Sequence, residues 1–318
     1  MSPTVLFGAF DRHNLGDILL ARIAARETAG EAICAGLASR DMTLFGGPCV
    51  VPLAEAIAGG PMRLVHVGGE LLDCDTGQAA HMLGTPDRPI GRLAAYVVPK
   101  TMLPAGSTVE FRAVGGVALG DRPPGFRADV LAALAQADCV TVRDRPTLNL
   151  LVGNGIRAAL VPDPVSRIAE LFGAEIRARR SAMPDYVAVQ FAAEWGDDAT
   201  LAQLARGLAR RGQPVMLFRA GAAPWHDDLE PYRRLAACLA APVRIFESLN
   251  VWDICGLIAG AGAFVGTSLH GRIVAEAFGV PAISLELSPG SARKLGAYLR
   301  TWTPAAVPVS LAEFADRT

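Results

Sequence analysis

AFVGTSLHGRIVAEAFGVPAISLE, from Ala263 to Glu286, is the stretch that decides the fold. Apolar residues fill both of its ends, and from Leu269 onwards they recur at the spacing of one helix face. A glycine and a proline, Gly279 and Pro281, end that helix before the second apolar run. The stretch therefore predicts a strand, a tight turn, a helix and a second strand, which is the repeating unit of parallel sheets.

The polar side chains of this unit gather in its tight turn and in the first turn of its helix. They are Thr267, Ser268, His270 and Arg272. Either Thr267 or Ser268 can cap the helix by accepting hydrogen bonds from its unpaired amides. Those amides and the helix dipole favour a negatively charged group. We therefore expect this turn to bind a phosphate or a carboxylate.

The same alternation of strands and helices extends along the chain and restarts after a charged segment, RARRSAMP at residues 177–184. A charged segment that ends in proline is typical of a linker between domains. Alternating strands and helices predict parallel sheets with right-handed crossovers. We therefore expect two Rossmann-like, doubly wound α/β domains, at residues 1–178 and 185–318, the first of which ends with a helix over residues 165–178.

Two predicted strands of the first domain end in candidate site residues. The first strand leads through a polar loop to Asp17 at the start of a helix, and a later strand ends in Gly68, Gly69 and Glu70. In doubly wound folds, ligands bind beyond the carboxyl ends of the strands, and glycines there allow a ligand to approach the backbone. The alternatives are that Asp17 only caps its helix and that the two glycines only form a tight turn.

The segment between residues 71 and 109 is irregular and rich in proline and glycine. Its weak periodicity predicts helices around residues 77–83 and 92–98. A long excursion after a strand end is a place where an acceptor pocket or a lid is expected.

Arg143 follows a short apolar strand and precedes a helix. A guanidinium group at a strand end can hold a carboxylate or a phosphate with two parallel hydrogen bonds. Its alternative is an ion pair with Asp144 or with Asp163, which lies between two prolines in a rigid turn.

The charge balance of the chain excludes several classes of partner. Its 30 basic and 31 acidic residues give a net charge of -1, so there is no electrostatic footprint for nucleic acid or an acidic membrane. The first apolar run is far shorter than the roughly 20 residues of a membrane span, and no leader pattern opens the chain. We expect a cytoplasmic protein with small-molecule or glycan partners, for which an oligomer is also possible.

Cysteines, histidines and tryptophans add further expectations. The six cysteines form no C-x-x-C pair and are interpreted as buried free thiols of a reducing compartment. The five histidines never occur at ligand spacing, so no metal site is expected. Three tryptophans of the second domain are interpreted either as stacking platforms for a sugar or a base or as core edges, namely Trp195, Trp225 and Trp252.

Five short motifs, in matching order over nearly the whole chain, resemble those of the polysaccharide pyruvyl transferase family. They are Asn14-x-Gly16-Asp17, Val67-Gly68-Gly69, Arg143-Asp144, Asp163-Pro164, and Ser268-Leu269-His270 followed by Gly279-Val280-Pro281. The family usually has three glycines in the second motif and Arg-Leu-His in the last, so Ser268 stands where the family has arginine. The resemblance implies a GT-B-like architecture, in which two Rossmann-like domains face a cleft.

The resemblance also implies a reaction, the transfer of a pyruvyl group from phosphoenolpyruvate to a sugar diol as a ketal, in polysaccharide biosynthesis. Phosphoenolpyruvate is then a co-substrate and no cofactor is needed. The reaction requires an acid that protonates the methylene carbon of the donor, cations that hold its phosphate and carboxylate, and a base that deprotonates the attacking hydroxyl.

The resemblance assigns these roles to particular residues. His270 is the implied acid or phosphate ligand, and Asp17 or Glu70 is the implied base. The remaining residues divide into donor or anion ligands (Arg143, Thr267, Ser268 and Arg272) and acceptor ligands (Asn14, Gly68, Gly69 and Glu70). The first domain is then the acceptor side and the second the donor side.

Two alternatives remain open at the level of the sequence. In nucleotide-sugar glycosyltransferases of the GT-B class, a Glu-Ala pair grips the ribose, and Glu276-Ala277 resembles it, although the following Gly-x-Pro comes two residues too early. Glu276 also lies one turn after Arg272, where it can form a local ion pair instead. The other alternative is a noncatalytic sugar- or phosphate-binding member that lost its donor arginine.

Overall fold

The computed structural model describes residues 2–85, 94–181, 183–224, 226 and 228–316. Its chain forms two compact units, one that ends at Pro164 and one that begins at Val165. Each unit contains one mainly parallel sheet with helices in its crossovers. The expected α/β class, with two Rossmann-like units, is confirmed.

The sheet of the N-terminal unit has eight strands in the order β3-β4-β2-β1-β5-β6-β7-β8. All neighbours are parallel except β3 and β4, which are antiparallel. The central strands β1 and β5 are buried from end to end apart from their first residues, as expected for strands covered on both faces. The strands are β1 (Thr4–Phe7), β2 (Ala32–Gly36), β3 (Arg40–Asp41), β4 (Cys49–Pro52), β5 (Arg63–Val67), β6 (Thr108–Val114), β7 (Cys139–Val142) and β8 (Ala159–Leu160).

Five helices connect these strands, and the position of β1 in the sheet determines where their loops meet. The helices are α1 (Leu15–Glu27), α2 (Leu53–Ala58), α3 (Thr76–Met82), α4 (Pro124–Ala135) and α5 (Arg145–Gly153). The chain leaves β1 for β2 on one side and later adds β5 on the other side. The carboxyl ends of β1 and β5 therefore form the switch point at which doubly wound sheets bind ligands.

The sheet of the C-terminal unit has six parallel strands in the order β11-β10-β9-β12-β13-β14. Its switch point lies between β9 and β12. The strands are β9 (Val187–Gln190), β10 (Val215–Phe218), β11 (Val243–Phe246), β12 (Ala263–Gly266), β13 (Ala282–Glu286) and β14 (Val309–Ser310). The helices are α6 (Ile168–Ala178), α7 (Asp198–Arg211), α8 (Leu229–Cys238), α9 (Val251–Gly260), α10 (Leu269–Ala277), α11 (Arg293–Trp302) and α12 (Leu311–Asp316).

The β12-α10-β13 unit has the structure that its sequence predicts. Of the two possible caps, Ser268 is the one used, because its Oγ accepts a hydrogen bond from the Gly271 amide at 3.1 Å. The helix ends before Gly279, whose φ of 72° lies in the left-handed region that favours glycine.

The division between the units falls at Pro164–Val165, earlier than the sequence analysis placed it. α6, which the sequence analysis assigned to the first domain, packs on α9 and α10 of the second unit. Phe172 of α6 contacts the ring of Trp252 at a centroid distance of 4.8 Å. Apolar burial against α9 therefore decides where α6 belongs, and the charged segment after α6 lies inside the second unit.

Two further expectations need correction, and one open alternative is decided. The predicted helix at residues 92–98 is absent from its described part, because residues 94–98 form a β-bridge, a turn and an irregular segment; residues 92 and 93 lie outside the described residues. For the tryptophans the core alternative holds where they are described: Trp252 is buried in the core and Trp195 packs against the second core, whereas Trp225 lies outside the described residues. Only half of the cysteines are buried, since Cys49, Cys139 and Cys238 are exposed.

Candidate functional site

Asn14 and Asp17 lie where β1 leads into α1. Asn14 is the cap of α1, because its Oδ1 accepts hydrogen bonds from the amides of Gly16 at 2.9 Å and Asp17 at 3.2 Å. Asp17 therefore does not cap the helix, and its side chain keeps 14% of its surface exposed. The sequence analysis left capping by Asp17 open as an alternative, and the structure gives that role to Asn14.

The two glycines after β5 bring that strand end against α1. Gly68 has a φ of 49°, and a Cβ there would lie 2.6 Å from the Leu20 side chain, so a larger residue is excluded by both strain and packing. A Cβ on Gly69 would lie 3.3 Å from Oδ1 of Asp17. The loop after β1 and the loop after β5 thus meet at Asp17, at the switch point of the sheet.

Arg12, which no sequence motif singled out, lies in the same place. Its Nη1 donates a hydrogen bond of 2.7 Å to the Tyr96 hydroxyl, and its Nη2 lies 3.7 Å from Oδ2 of Asp17. The guanidinium group also stands over the Tyr96 ring, 5.4 Å from the centroid. The contact joins positions that are 84 residues apart, so local sequence spacing carried no signal of it.

Arg143 is buried in a network of two carboxylates. Its Nη1 donates to Oδ2 of Asp163 at 2.9 Å, and its Nη2 donates to Oε2 of Glu70 at 2.7 Å. Burial works to lower the pKa of Arg143, but the two carboxylates outweigh it and raise that pKa above its ordinary value. The ion pair with Asp163, which the sequence analysis kept as an alternative to anion binding, is present.

Glu70 has little free capacity in this network. Its Oε2 accepts from Arg143, and its Oε1 accepts from the Val117 amide at 2.7 Å. The side chain is 21% exposed. Its two oxygens therefore already bind protein donors, so Asp17, although less exposed, is the carboxylate with more hydrogen-bonding capacity left for a ligand at this end of the sheet.

In the C-terminal unit, Gln190 organises the turn that precedes α10. This residue ends β9, and its Oε1 accepts from the Ser268 amide at 2.9 Å and from the Thr267 hydroxyl at 3.4 Å. Its carbonyl oxygen accepts from the Thr267 amide at 3.3 Å. An anion at the Ser268 amide would therefore have to replace Gln190. Gln190 could not be recognised from local sequence, because β9 and β12 are distant in the chain.

His270 and Arg272 lie in the first turns of α10, and both are buried. Arg272 donates from Nη1 to the Ala282 carbonyl at 2.9 Å and to the Ser284 hydroxyl at 3.0 Å, and from Nε to Glu276 at 2.9 Å. These bonds fix α10 to β13 and turn the guanidinium group towards the protein. The ion pair with Glu276, the sequence-level alternative to anion binding by Arg272, is present.

A separate cavity of about 420 Å³ opens beyond β13 in the same unit. Its lining is about equally polar and apolar, and the polar half comes from Thr200, Gln203, Glu286, Ser288 and Ser310. Its volume lies within the range of small-molecule sites. It does not include His270 or the turn before α10.

The described residues contain neither a group suited to a metal ion nor a helix suited to a membrane span. No group of three histidine, cysteine, aspartate or glutamate residues among them is arranged to hold a metal ion. No helix in the described part of the chain combines the length and the hydropathy needed to cross a membrane.

Solved structures with the GT-B fold resemble the chain over nearly its whole length. UDP-GlcNAc 2-epimerase from Methanocaldococcus jannaschii gives a TM-score of 0.58 at 13% identity, covering 99% of this chain and 90% of that one. UDP-GlcNAc 2-epimerase from Neisseria meningitidis, bound to UDP-GlcNAc, gives a TM-score of 0.53 at 10% identity, covering 99% of this chain and 90% of that one. Anabaena Alr3699/HepE, in complex with UDP-glucose, gives a TM-score of 0.55 at 12% identity, covering 99% of this chain and 88% of that one. At these identities the likeness establishes the fold alone.

The family follows from the sequence. No curated protein matches the chain. A model of the polysaccharide pyruvyl transferase family, in contrast, matches residues 101–289, which is more than half of the chain and contains Arg143, Asp163 and His270. The chain, with its GT-B-like fold and its β12-α10-β13 unit, therefore belongs to the polysaccharide pyruvyl transferase family.

Proposed function

We propose that the protein transfers a pyruvyl group from phosphoenolpyruvate to a sugar diol. The observation that carries the proposal is the family match over residues 101–289. In the reaction, the methylene carbon of the donor gains a proton and becomes a methyl group, and two hydroxyl oxygens bond to the central carbon. Inorganic phosphate leaves. Of the two protons that the hydroxyl groups lose, one is matched by the proton added to the methylene carbon, and the other leaves with the phosphate.

His270 is the proposed proton donor to the methylene carbon or a ligand of the phosphate. It is 8% exposed and lies at the second position of α10, where the helix dipole favours an anion. A positioned acid typically contributes a factor of about 100 or more to turnover.

The donor also needs a positive charge, because Ser268 stands where the family has arginine. Arg143 and Arg272 are occupied by internal hydrogen bonds. Arg219 directly follows β10, and β10 and β12 lie on opposite sides of β9. Its backbone is therefore two strand spacings, about 10 Å, from the turn before α10. Its Nε is buried and has no acceptor among the described residues. These features favour Arg219 as the cation for the donor phosphate.

Asp17 is the proposed base for the attacking hydroxyl. Its carboxylate keeps more hydrogen-bonding capacity than that of Glu70, both of whose oxygens accept hydrogen bonds from the protein. It also lies beside Gly69, where the absence of a side chain lets a sugar approach the backbone. The N-terminal unit is accordingly the proposed acceptor side and the C-terminal unit the donor side.

Phosphate release from phosphoenolpyruvate, measured with and without a panel of sugar diols, tests the proposal. We expect acceptor-dependent release that falls about a hundredfold in His270→Ala. His81→Ala, in α3 of the other unit, is the matched control and should keep the wild-type rate. If His270→Ala releases phosphate at the wild-type rate, His270 has no role in the mechanism. If the wild type releases no phosphate with any acceptor, phosphoenolpyruvate is not the donor.

The second candidate is a reaction of a nucleotide sugar, because UDP-GlcNAc and UDP-glucose are the ligands named for the structures with a similar fold. The residue that would grip a ribose in that class, Glu276, is bound to Arg272 through Oε1. A thermal-shift comparison of phosphoenolpyruvate with UDP- and GDP-sugars separates the candidates, since only a bound ligand raises the melting temperature. Binding of phosphoenolpyruvate without product would favour a noncatalytic member instead.

A further inference from the structure

The side chains of Arg12, Arg143 and Arg272 are each at most 10% exposed, but they differ in their hydrogen bonding. Arg143 donates to two carboxylates, and Arg272 donates to a carboxylate, a carbonyl and a hydroxyl. Arg12, whose side chain is 10% exposed, makes a single hydrogen bond to a described residue, the one to Tyr96. The fold thus satisfies two of these guanidinium groups and leaves most donors of the third without a protein acceptor.

The incomplete bonding of Arg12 is located on one edge of its guanidinium group. Nε is buried and has no acceptor among the described residues. Nη2 lies 3.7 Å from Oδ2 of Asp17, which is close enough for an ion pair and too far for a hydrogen bond. Buried charged donors without acceptors destabilise a fold, so such groups call for a functional explanation.

The position of Arg12 suggests that its unused donors serve to bind a ligand. The residue follows β1, and Asp17 beside it contacts the Gly69 position after β5, so both lie at the switch point of the N-terminal sheet. Ligands of doubly wound sheets bind at this point. Residues 94–98, which include Tyr96, belong to the excursion in which the sequence indicates an acceptor pocket or a lid.

Tyr96 holds the guanidinium group in one orientation. The tyrosine is fully buried, its hydroxyl accepts from Nη1, and its ring lies under the guanidinium carbon. Burial holds the pKa of Tyr96 well above its ordinary value, so the phenol keeps its proton. With Nη1 occupied, the Nε–Nη2 edge is the part of Arg12 that remains for a ligand.

We propose that Arg12 binds an oxyanion, a carboxylate or a phosphate, through its Nε–Nη2 edge at the carboxyl end of β1. The planar edge matches two oxygens of such a group with parallel hydrogen bonds. Asp17 accepts a hydroxyl proton beside it, so the arrangement suits an oxyanion that also carries hydroxyl groups, as in an acidic sugar or a sugar phosphate. The inference concerns binding and does not depend on the identity of the pyruvyl donor.

Calorimetric titration of the full chain with four probes tests this inference. The probes are phosphoenolpyruvate, glucose 1-phosphate, methyl glucuronide and methyl glucoside, and the variants are Arg12→Met and Arg12→Lys. Arg26→Gln, an exposed position in the last turn of α1, is the control. We expect at least one oxyanion to bind about tenfold to a hundredfold more weakly to Arg12→Met, and more weakly to Arg12→Lys, than to wild type and control.

The probes identify the source of the oxyanion. If Arg12→Met loses affinity for phosphoenolpyruvate alone, the oxyanion belongs to the donor. If Arg12→Met loses affinity for methyl glucuronide or glucose 1-phosphate, and methyl glucoside binds weakly to every variant, the oxyanion belongs to an acidic acceptor. Unchanged affinities in Arg12→Met, or no binding of any oxyanion by wild type, would overturn the inference. A fall of more than about 5 °C in the melting temperature of Arg12→Met would overturn it too, because the fold would then require the guanidinium group.

Discussion

Removing Arg143 should destabilise the N-terminal unit strongly, because this buried side chain bridges two carboxylates, those of Asp163 and Glu70. In Arg143→Met, Asp163, which is 0% exposed, and Glu70 each lose a hydrogen bond of less than 3 Å. Breaking a buried ion pair by removing one partner costs about 3–5 kcal/mol. A domain is typically stable by about 5–15 kcal/mol, so the loss is a large part of the total.

The tryptophans allow the two units to be followed separately. All four lie after residue 165, so tryptophan fluorescence reports on the C-terminal unit, whereas circular dichroism reports on both. In urea, Arg143→Met should lower the midpoint of a circular-dichroism transition and leave the fluorescence transition in place. Lys100→Met, which removes a half-exposed ion pair with Asp138, is the control and should cost at most about 1 kcal/mol. An Arg143→Met variant as stable as this control, with weakened phosphoenolpyruvate binding, would refute the structural role.

Three further predictions concern other parts of the chain. Gly68→Ala should cost about 1–3 kcal/mol in urea unfolding, because alanine is strained at a φ of 49° and its Cβ meets Leu20; an unchanged midpoint would contradict this. Ser268→Arg should leave phosphoenolpyruvate affinity equal or tighter by calorimetry, and a marked weakening would argue against a donor site at this turn. At pH 8, a thiol reagent should modify three cysteines in the native chain and six in urea, because burial raises the pKa of Cys34 to about 11 and that of Cys74 to about 12; six rapid reactions in the native chain would contradict the burial of Cys34, Cys74 and Cys255.

Elements defined by local pattern were predictable from the sequence. The helical spacing after Leu269, the serine cap and the terminal glycine specify β12, α10 and β13, and the structure has all three. Short strands such as β3 and β14, with two residues each, were not predicted, because two residues carry no periodicity. The assignment of α6 also failed, since its partner α9 is determined by tertiary packing.

The candidate site shows the same division between local and distant information. Motifs pointed to Arg143 and Arg272, but their hydrogen-bond partners decide whether those guanidinium groups can reach a ligand, and the partners lie on other strands. Gln190 and Arg12 were missed for the converse reason. Gln190 ends β9 and Arg12 lies in the loop after β1, both without a recognisable motif, and each gains its importance from a neighbour 78 or 84 residues away.

The proposed pyruvyl transfer is tested most directly by following the methyl group of the product in deuterated water. The protein is incubated with phosphoenolpyruvate labelled with ¹³C at the methylene carbon, together with a panel of sugar diols, and the ¹³C spectrum is recorded. The account predicts an acceptor-dependent ketal methyl signal that carries one deuterium, since solvent supplies the proton that His270 delivers. Unchanged phosphoenolpyruvate in every mixture, with consumption of a UDP-sugar offered in parallel, would contradict it.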